Sequence, residues 1–314
     1  MHSPFTLLTF LTPFLESWVK LALQVAENYF SYDGFVILHG TDTMAFTASA
    51  LSFMLENLGK PVVLTGAMIP LAEPVSDAKR NLLVSMMVAA HMSITEVMLF
   101  FNAQLIRGCR AKKIDPWRLA AFESMNMDPL ATMGVGIHVG TNCLRAPPSR
   151  RFNCHTHLYS NIIALTMTPA FNYESLKHMA TSWKNTPGME PPALVLLAFG
   201  SGNAPVNVPQ FLETINLCLD SQCPVVILTQ CLRGSVDLTQ YEGGMQLAKL
   251  GVIDGKDMTV EACTTKLAYL MGRGLRGIKL KQAMETDLRG ELEIKPSVSY
   301  TGFSLSSSNI FARL

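Results

Sequence analysis

The sequence predicts an α/β protein, with a larger N-terminal domain built on a parallel-rich sheet and a smaller C-terminal α/β domain. Short apolar runs alternate along the chain with segments of helical periodicity, which is typical of βαβ units. The apolar runs are continuous instead of alternating, as expected for strands covered on both faces of a parallel sheet. The chain has 314 residues, of which 49% are hydrophobic, so it can bury a large core.

The N-terminal domain is predicted to begin with a helix at 15–29, because apolar residues there recur at three- and four-residue spacing and form one face. A buried strand follows at 34–39. The next helix, at 43–58, ends at Gly59 and is followed by Pro61, which is a common C-terminal signal. The other elements predicted in this half are a strand at 61–66, a helix at 76–90 with Ser76 or Asp77 as its cap, and a strand at 96–101.

The α/β pattern restarts after an irregular middle region. A polar segment with proline and glycine indicates a linker or surface turn there. We therefore predict an N-terminal domain at 1–181, a linker at 182–192, a C-terminal domain at 193–292 and a tail at 293–314. The elements predicted within the C-terminal domain are strands at 193–197 and 224–228 and helices at 208–219, 239–250, 259–272 and 278–286.

Composition argues against nucleic-acid and membrane partners. The formal net charge is +1, so no global field attracts nucleic acid or an acidic membrane. The apolar run at 1–15 is too short to span a membrane, and it lacks the basic region and cleavage site of a signal peptide. The seven cysteines have irregular spacing and no histidine at ligand spacing, which predicts reduced thiols and no zinc site. We expect a soluble, cytoplasmic protein.

Polar residues at the carboxyl ends of the predicted strands are the candidate functional residues. Gly40, Thr41 and Asp42 follow the first strand, and Asn102 follows the third. Ligands of parallel sheets bind in the crevice at this edge. His39, directly before the turn, is interpreted as a hydrogen-bonded histidine at the strand end.

The chemistry of Thr41 and Asp42 leaves two interpretations open. A threonine hydroxyl becomes a good nucleophile only when a base removes its proton, and the adjacent carboxylate with a nearby lysine could form that relay. The turn also precedes a helix, whose free N–H groups favour an anion. In the alternative interpretation, Asp42 or Thr43 only caps the helix.

The segment 32–46, with His-Gly-Thr-Asp-Thr near its centre, resembles the signature of type I, cytosolic-type L-asparaginases. The resemblance covers residues 18–292 in order. Serine hydrolases and nucleotide enzymes are not supported, because no G-x-S-x-G, P-loop or Rossmann fingerprint occurs. The other matching segments are 51–58, 63–67, 76–77, 81–83, 199–205, 228–231, 257–262 and 287–291.

The resemblance implies hydrolysis of L-asparagine to L-aspartate and ammonia through an acyl-enzyme, without metal or cofactor. The family uses two threonines, and the second of them, with its aspartate, matches Thr41 and Asp42. The family's lysine falls within residues 107–113 and by register matches Lys113, which would act as a base. Gly40, Thr41 and Asp42 would bind the substrate, and an alternative role for Asp42 is to hold its α-ammonium group. The resemblance also implies a homodimer or homotetramer.

The sequence departs from the family at its beginning. The segment Thr-Gly-Gly-Thr-Ile, which carries the family's first threonine, does not occur, and the positions of an Asp-Ser-Ser element hold residues 9–11 (Thr-Phe-Leu). If these 314 residues are a truncated isoform, we expect activity to be severely weakened or absent. A shortened gene model is equally compatible with the sequence.

Two alternative functions remain open. One is a catalytically impaired family member that binds or assembles with intact subunits. The other is a related amidohydrolase such as the D subunit of the glutamyl-tRNA amidotransferase, which shares the threonine, aspartate and lysine constellation. That function would need a further N-terminal domain and a tRNA-binding surface, and neither is visible in the sequence.

Overall fold

The computed structural model describes residues 15–140, 144–186, 188 and 190–293. These residues form a six-stranded sheet, a four-stranded sheet and two small two-stranded sheets, with helices packed against the larger ones. The predicted α/β class is thereby confirmed. The apolar run at 1–15, apart from Leu15, and the predicted tail, apart from Glu293, lie outside the described residues.

The helices lie close to their predicted positions, except that the helix at Tyr173–Asn185 was not predicted. α2 is shorter than the predicted helix at 43–58, because residues 55–56 leave it to pair with another strand. None of the described helices is long and apolar enough to cross a membrane. The helices are α1 (Leu15–Glu27), α2 (Met44–Met54), α3 (Ala78–His91), α4 (Tyr173–Asn185), α5 (Pro209–Asp220), α6 (Glu242–Leu250), α7 (Val260–Gly272) and α8 (Gly277–Met284), with a 3-10 turn at Gly108–Arg110.

The strands include several that the apolar pattern did not predict, because they are two to five residues long and carry no clear alternation. Neighbouring strands, and not the local sequence, hold them in place. The strands are β1 (Phe35–Leu38), β2 (Leu55–Glu56), β3 (Val62–Thr65), β4 (Val97–Phe101), β5 (Gln104–Arg107), β6 (Ala111–Lys113), β7 (Phe122–Ser124), β8 (Ala131–Met133), β9 (Ile137–Val139), β10 (Asn153–Cys154), β11 (Ile162–Thr166), β12 (Ala193–Ala198), β13 (Val225–Thr229) and β14 (Ile253–Asp254).

The six-stranded sheet is mixed, with the order β1-β3-β4-β5-β8-β9. β1, β3 and β4 are parallel, as predicted, and the other three strands continue the sheet in antiparallel pairs. β4 and β5 form a hairpin whose turn residues, Asn102 and Ala103, have φ angles of 43° and 64°. Asparagine tolerates this left-handed conformation, which two-residue hairpin turns require. Asn102 therefore serves the turn.

Adjacent residues of the central strands pack into two different cores, one on each face of the sheet. Leu64 of β3 packs with Leu21 of α1 and Leu51 of α2. Its neighbour Val63 packs on the opposite face with Val88 of α3. The sheet is thus covered on both faces, which explains why its strands are apolar throughout.

The four-stranded sheet is parallel, with the order β11-β12-β13-β14. Its first strand, β11, precedes the predicted linker at 182–192. The first part of that linker belongs to α4, because Trp183 is buried against this sheet and so continues the apolar face of the helix. The C-terminal sheet therefore begins before the predicted linker, and the domain boundaries themselves stay a prediction.

Contacts between distant parts of the chain hold β6 in place. Arg110 Nε donates to the carbonyl of Gly290 at 2.7 Å, and Arg110 Nη1 forms a buried ion pair with Asp257 at 2.6 Å. Cys109 Sγ donates to the carbonyl of Arg289. These groups precede β6, so residues near the C-terminus help to fix the strand that carries Lys113.

Candidate active site

The candidate site lies in the turn between β1 and α2. The hydrogen bonds between β1 and β3 continue to His39, whose N–H donates to the carbonyl of Thr65 at 2.8 Å. The chain then turns through residues 40–43 at the carboxyl edge of the sheet. Thr43 occupies the N-cap position of α2 but makes no capping hydrogen bond through its side chain. The interpretation of Thr43 as only a helix cap is therefore not supported.

Lys113 reaches this turn from β6. Its Nζ donates to Thr41 Oγ1 at 2.9 Å and to Asp42 Oδ1 at 2.7 Å. The Lys113 side chain is 17% exposed, whereas that of Asp42 is 92% exposed. The three residues singled out as catalytic in the sequence are thus in direct contact, and the carboxylate among them is open to an incoming molecule.

The neighbours of Lys113 point elsewhere. Lys112 Nζ lies 3.2 Å from Glu261 Oε1 of α7. Successive side chains of a strand point to opposite faces, so Lys112 faces the C-terminal domain and Lys113 faces Thr41. Arg107 and Arg110 are also paired, with Glu96 and Asp257, so Lys113 is the one of the four cations in this run that contacts the turn. The basic run at 107–113 is therefore not a solvated loop.

The turn packs tightly against the loop that follows β3. A Cβ atom at Gly66 would lie 2.3 Å from the carbonyl oxygen of His39, so this position requires glycine. Asn81 Nδ2 donates to the carbonyl of Gly66 at 3.0 Å. Asp77, predicted as a helix cap, makes no capping bond; its carboxylate instead accepts the N–H groups of Met68 and Ile69.

His39 is hydrogen-bonded on both sides of its ring. Its Nε2 lies 2.9 Å from Thr47 Oγ1, which also accepts from Trp18 Nε1 at 3.0 Å, and its Nδ1 lies 2.7 Å from the carbonyl oxygen of Gly40. Burial lowers the pKa of His39, although the bond to Gly40 partly opposes that shift. Sequence reasoning identified His39 but missed Trp18 and Thr47. The sequence indicates these two residues only by placing an indole and a hydroxyl on the helices that flank the motif.

The space beside the turn is open. A Cβ atom at Gly40 would have no neighbour within 4 Å, so a small molecule can approach the backbone there. Among the described residues, no group of three His, Cys, Asp or Glu side chains could hold a metal ion. The side chains that contact one another at the turn are a hydroxyl, a carboxylate and an ammonium, which suit proton transfer and the binding of a charged small molecule.

Comparison with known proteins bears on this site. Residues 14–145 match the sequence family described as "Asparaginase, N-terminal", and residues 161–284 match "Glutaminase/Asparaginase C-terminal domain". L-asparaginase 1 of Escherichia coli strain K12 is 44% identical over 281 residues, which cover 88% of this chain and 80% of that protein. The chain belongs to the type I L-asparaginase family. The resemblance found in the sequence is thus confirmed.

Two further relatives of this asparaginase family member, one of them a solved structure, extend the comparison. The crystal structure of L-asparaginase I from Vibrio cholerae superposes with a TM-score of 0.79 at 43% identity, covering 90% of this chain and 82% of that one. An L-asparaginase of Dirofilaria immitis is 39% identical over 89% of this chain, which spans 46% of that protein. The N-terminal family match includes Thr41, Asp42 and Lys113.

Proposed function

We propose that this amidohydrolase of the asparaginase family hydrolyses L-asparagine to L-aspartate and ammonia at the turn that carries Thr41. The observation that carries the proposal is the position of Lys113 Nζ, 2.9 Å from the hydroxyl of Thr41 and 2.7 Å from the carboxylate of Asp42. A hydroxyl in direct contact with an amine can pass its proton to that amine when the amine is neutral. This is the arrangement expected of an activated threonine.

Each of the three side chains has a distinct role in the proposal. Lys113, when its amine is neutral, takes the proton of the Thr41 hydroxyl, and Thr41 Oγ1 adds to the side-chain amide carbon of asparagine. The amide nitrogen takes that proton back from Lys113 and leaves as ammonia when the C–N bond breaks, so an ester joins Thr41 to the aspartyl group. Water then passes a proton to the Thr41 oxygen through Lys113 and adds to the ester carbon, which releases aspartate and restores the Thr41 hydroxyl.

Substrate recognition is assigned to Asp42, Gly40 and the start of α2. The carboxylate of Asp42 is 92% exposed and accepts a hydrogen bond from Lys113 at Oδ1, so its exposed face can accept bonds from the α-ammonium group of asparagine. The backbone beside Gly40 is open. α2 has no side-chain cap, and the positive end of its dipole favours the substrate's α-carboxylate.

For these 314 residues alone, we propose that turnover is weak. They contain no Thr-Gly-Gly-Thr-Ile sequence, which carries the family's first threonine. The turn at 40–43 accordingly supplies the second of the family's two threonines. The alternative function, assembly with intact subunits, predicts no turnover but stable association with an active family member. We also propose a cytoplasmic location and a homodimer or homotetramer, both by analogy with the family.

Ammonia release from L-asparagine by the purified 314-residue chain tests the proposal, with the Thr41→Ala variant as its reference. We expect a low rate that falls to background in the variant. Equal rates in the two proteins would overturn hydrolysis by these residues. If both are inactive, co-purification with an active asparaginase tests the assembly alternative, and light scattering gives the number of subunits.

A further inference from the structure

A chain of hydrogen bonds runs from α1 to the peptide that carries Thr41. Trp18 Nε1 donates to Thr47 Oγ1 at 3.0 Å. The same oxygen lies 2.9 Å from His39 Nε2, and the other ring nitrogen of His39, Nδ1, lies 2.7 Å from the carbonyl oxygen of Gly40. The chain therefore links two helices and a strand end to the turn of the candidate site.

The two ends of this chain determine where its protons lie. The indole N–H of Trp18 can only donate, and the carbonyl of Gly40 can only accept. His39 must therefore carry its proton on Nδ1, facing that carbonyl. Because a neutral imidazole then has an acceptor at Nε2, the hydroxyl of Thr47 donates to His39 while it accepts from Trp18. In this arrangement every polar atom of the hydrogen-bond chain, from the indole of Trp18 to the carbonyl of Gly40, has a partner.

Fixing the carbonyl of Gly40 also fixes Thr41. The peptide between the two residues is planar and trans, as no cis peptide occurs among the described residues, so its C=O and N–H groups point in opposite directions. Once the carbonyl is directed at His39, the direction of the Thr41 N–H is set. The hydroxyl of Thr41 is held independently by Lys113 at 2.9 Å. Thr41 is thus anchored through its peptide and through its side chain.

We propose that His39 is a positioning residue, held as its Nδ1-protonated tautomer by Thr47 and Trp18, which orients the peptide between Gly40 and Thr41 for the reaction at Thr41. Its effect on turnover rests on the proposed function. The tautomer of His39 and the orientation of the peptide do not depend on the proposed function, so they can be tested separately.

The test uses the full 314-residue chain labelled with nitrogen-15 in histidine and threonine. A long-range proton–nitrogen spectrum, with the His39→Gln variant to assign the ring signals, reports the tautomer. The amide signal of Thr41 reports the orientation of the peptide between Gly40 and Thr41. Three variants are compared: Thr47→Val removes the hydroxyl, Thr47→Ser retains it, and Thr214→Val makes the same change at a buried position of α5 whose hydroxyl bonds only its own helix.

We expect the Nδ1-protonated signature for His39 in the parent chain. Thr47→Val should change the ring signals and move the amide signal of Thr41, whereas Thr47→Ser and Thr214→Val should leave both in place. Thr47→Val should also lower kcat for L-asparagine about three- to tenfold, as expected for one lost hydrogen bond, and Thr47→Ser should restore it.

Three results would overturn the proposal: an Nε2-protonated His39 in the parent chain, an unmoved Thr41 amide in Thr47→Val, or equal kcat values in Thr47→Val and Thr47→Ser. A chain that releases no ammonia at all contradicts the proposed function instead. In that case the ring and amide signals still decide whether His39 orients the peptide.

Discussion

Lys112 and Lys113 are adjacent on β6, yet their ammonium groups bind carboxylates that belong to opposite parts of the protein. Lys112 Nζ lies 3.2 Å from Glu261, and Lys113 Nζ lies 2.7 Å from Asp42. The alternation of side chains along a strand produces this division. It also provides a matched pair of lysines, one at the candidate site and one outside it, within a single strand.

Replacing the two lysines separately should separate catalysis from stability. Lys113→Met removes the contact to Thr41 and should lower kcat about 10²- to 10⁴-fold, the range found for general acid–base groups. Lys112→Met leaves Glu261, whose side chain is 7% exposed, without its cation, so it should lower the free energy of unfolding but retain turnover. Ammonia release and urea unfolding measure the two effects. Equal losses of kcat in both variants would contradict the assignment of Lys113.

A second matched pair tests the packing of the turn. Gly66→Ala would place a Cβ atom 2.3 Å from the carbonyl oxygen of His39, so the turn must shift and both activity and stability should fall. Gly40→Ala meets no atom within 4 Å, so it should fold normally and raise KM by intruding on the space proposed for substrate. Thermal unfolding and steady-state kinetics distinguish the two. A stable, fully active Gly66→Ala variant would show that the turn can move freely.

The sequence predicted most of the parallel strands and most helices because their signals are local, whereas the parallel strands β11 and β14 were missed. Continuous apolar runs marked β1, β3 and β4, and periodic apolar residues marked the helices. The antiparallel half of the first sheet was missed, since strands such as β8 and β9 are three residues long and depend on their neighbours. Residues at strand ends, such as Thr41, could be singled out as candidates because ligands of a parallel sheet bind at that edge.

Other features of the candidate site depend on tertiary contacts, which local sequence patterns do not reveal. Spacing alone does not tell which lysine of β6 faces Thr41, because that depends on the pairing of β6 with β7, and only the register of the family resemblance indicated Lys113. The partner of His39, Thr47, is bound by Trp18, which lies 29 positions away in the sequence. Asp77 lies at the N-terminus of α3, where a capping residue would lie. Its carboxylate instead accepts the N–H group of Ile69, in the loop after β3.

A buried ion pair between Lys266 and Glu291 offers a test of stability. Both side chains are fully buried, and Lys266 also donates to the carbonyls of Met284 and Thr286. Lys266→Met leaves the buried carboxylate with only its backbone N–H partners and without its cation, which should lower the free energy of unfolding by about 3–5 kcal/mol. The double variant Lys266→Met/Glu291→Gln should recover part of that loss. Denaturant unfolding measures both, and a double variant less stable than the single one would contradict the explanation.

Acid should weaken the fold through Glu56. Burial raises the pKa of this carboxyl. Hydrogen bonds from Tyr269 and Asn153 and the charge of Arg273 together lower the pKa by more than burial raises it, so the net shift is downward. A carboxyl with a lowered pKa in the folded state stabilises the protein above its ordinary pKa, and that stability is lost as the pH falls through the lowered value. Glu56→Gln should therefore destabilise the protein at neutral pH, and its difference from the parent should shrink as the pH falls below the ordinary glutamate range.

The control for this pH dependence is Glu73→Gln, at an exposed carboxyl in the loop after β3. It should show no comparable dependence. Unfolding in denaturant at a series of pH values gives the two curves. A difference between Glu56→Gln and the parent that stays constant down to strongly acidic pH would argue against a lowered pKa for Glu56.

The bond from Arg110 to the carbonyl of Gly290 joins residues 180 positions apart, so it has a consequence for synthesis on the ribosome. Domains generally fold from the N-terminus as the chain emerges, at about 5–20 residues per second. The strand that carries Lys113 cannot gain this support until residue 290 has left the ribosome. A nascent chain therefore holds Thr41 and Lys113 in its sequence well before all the contacts that support the strand of Lys113 are present.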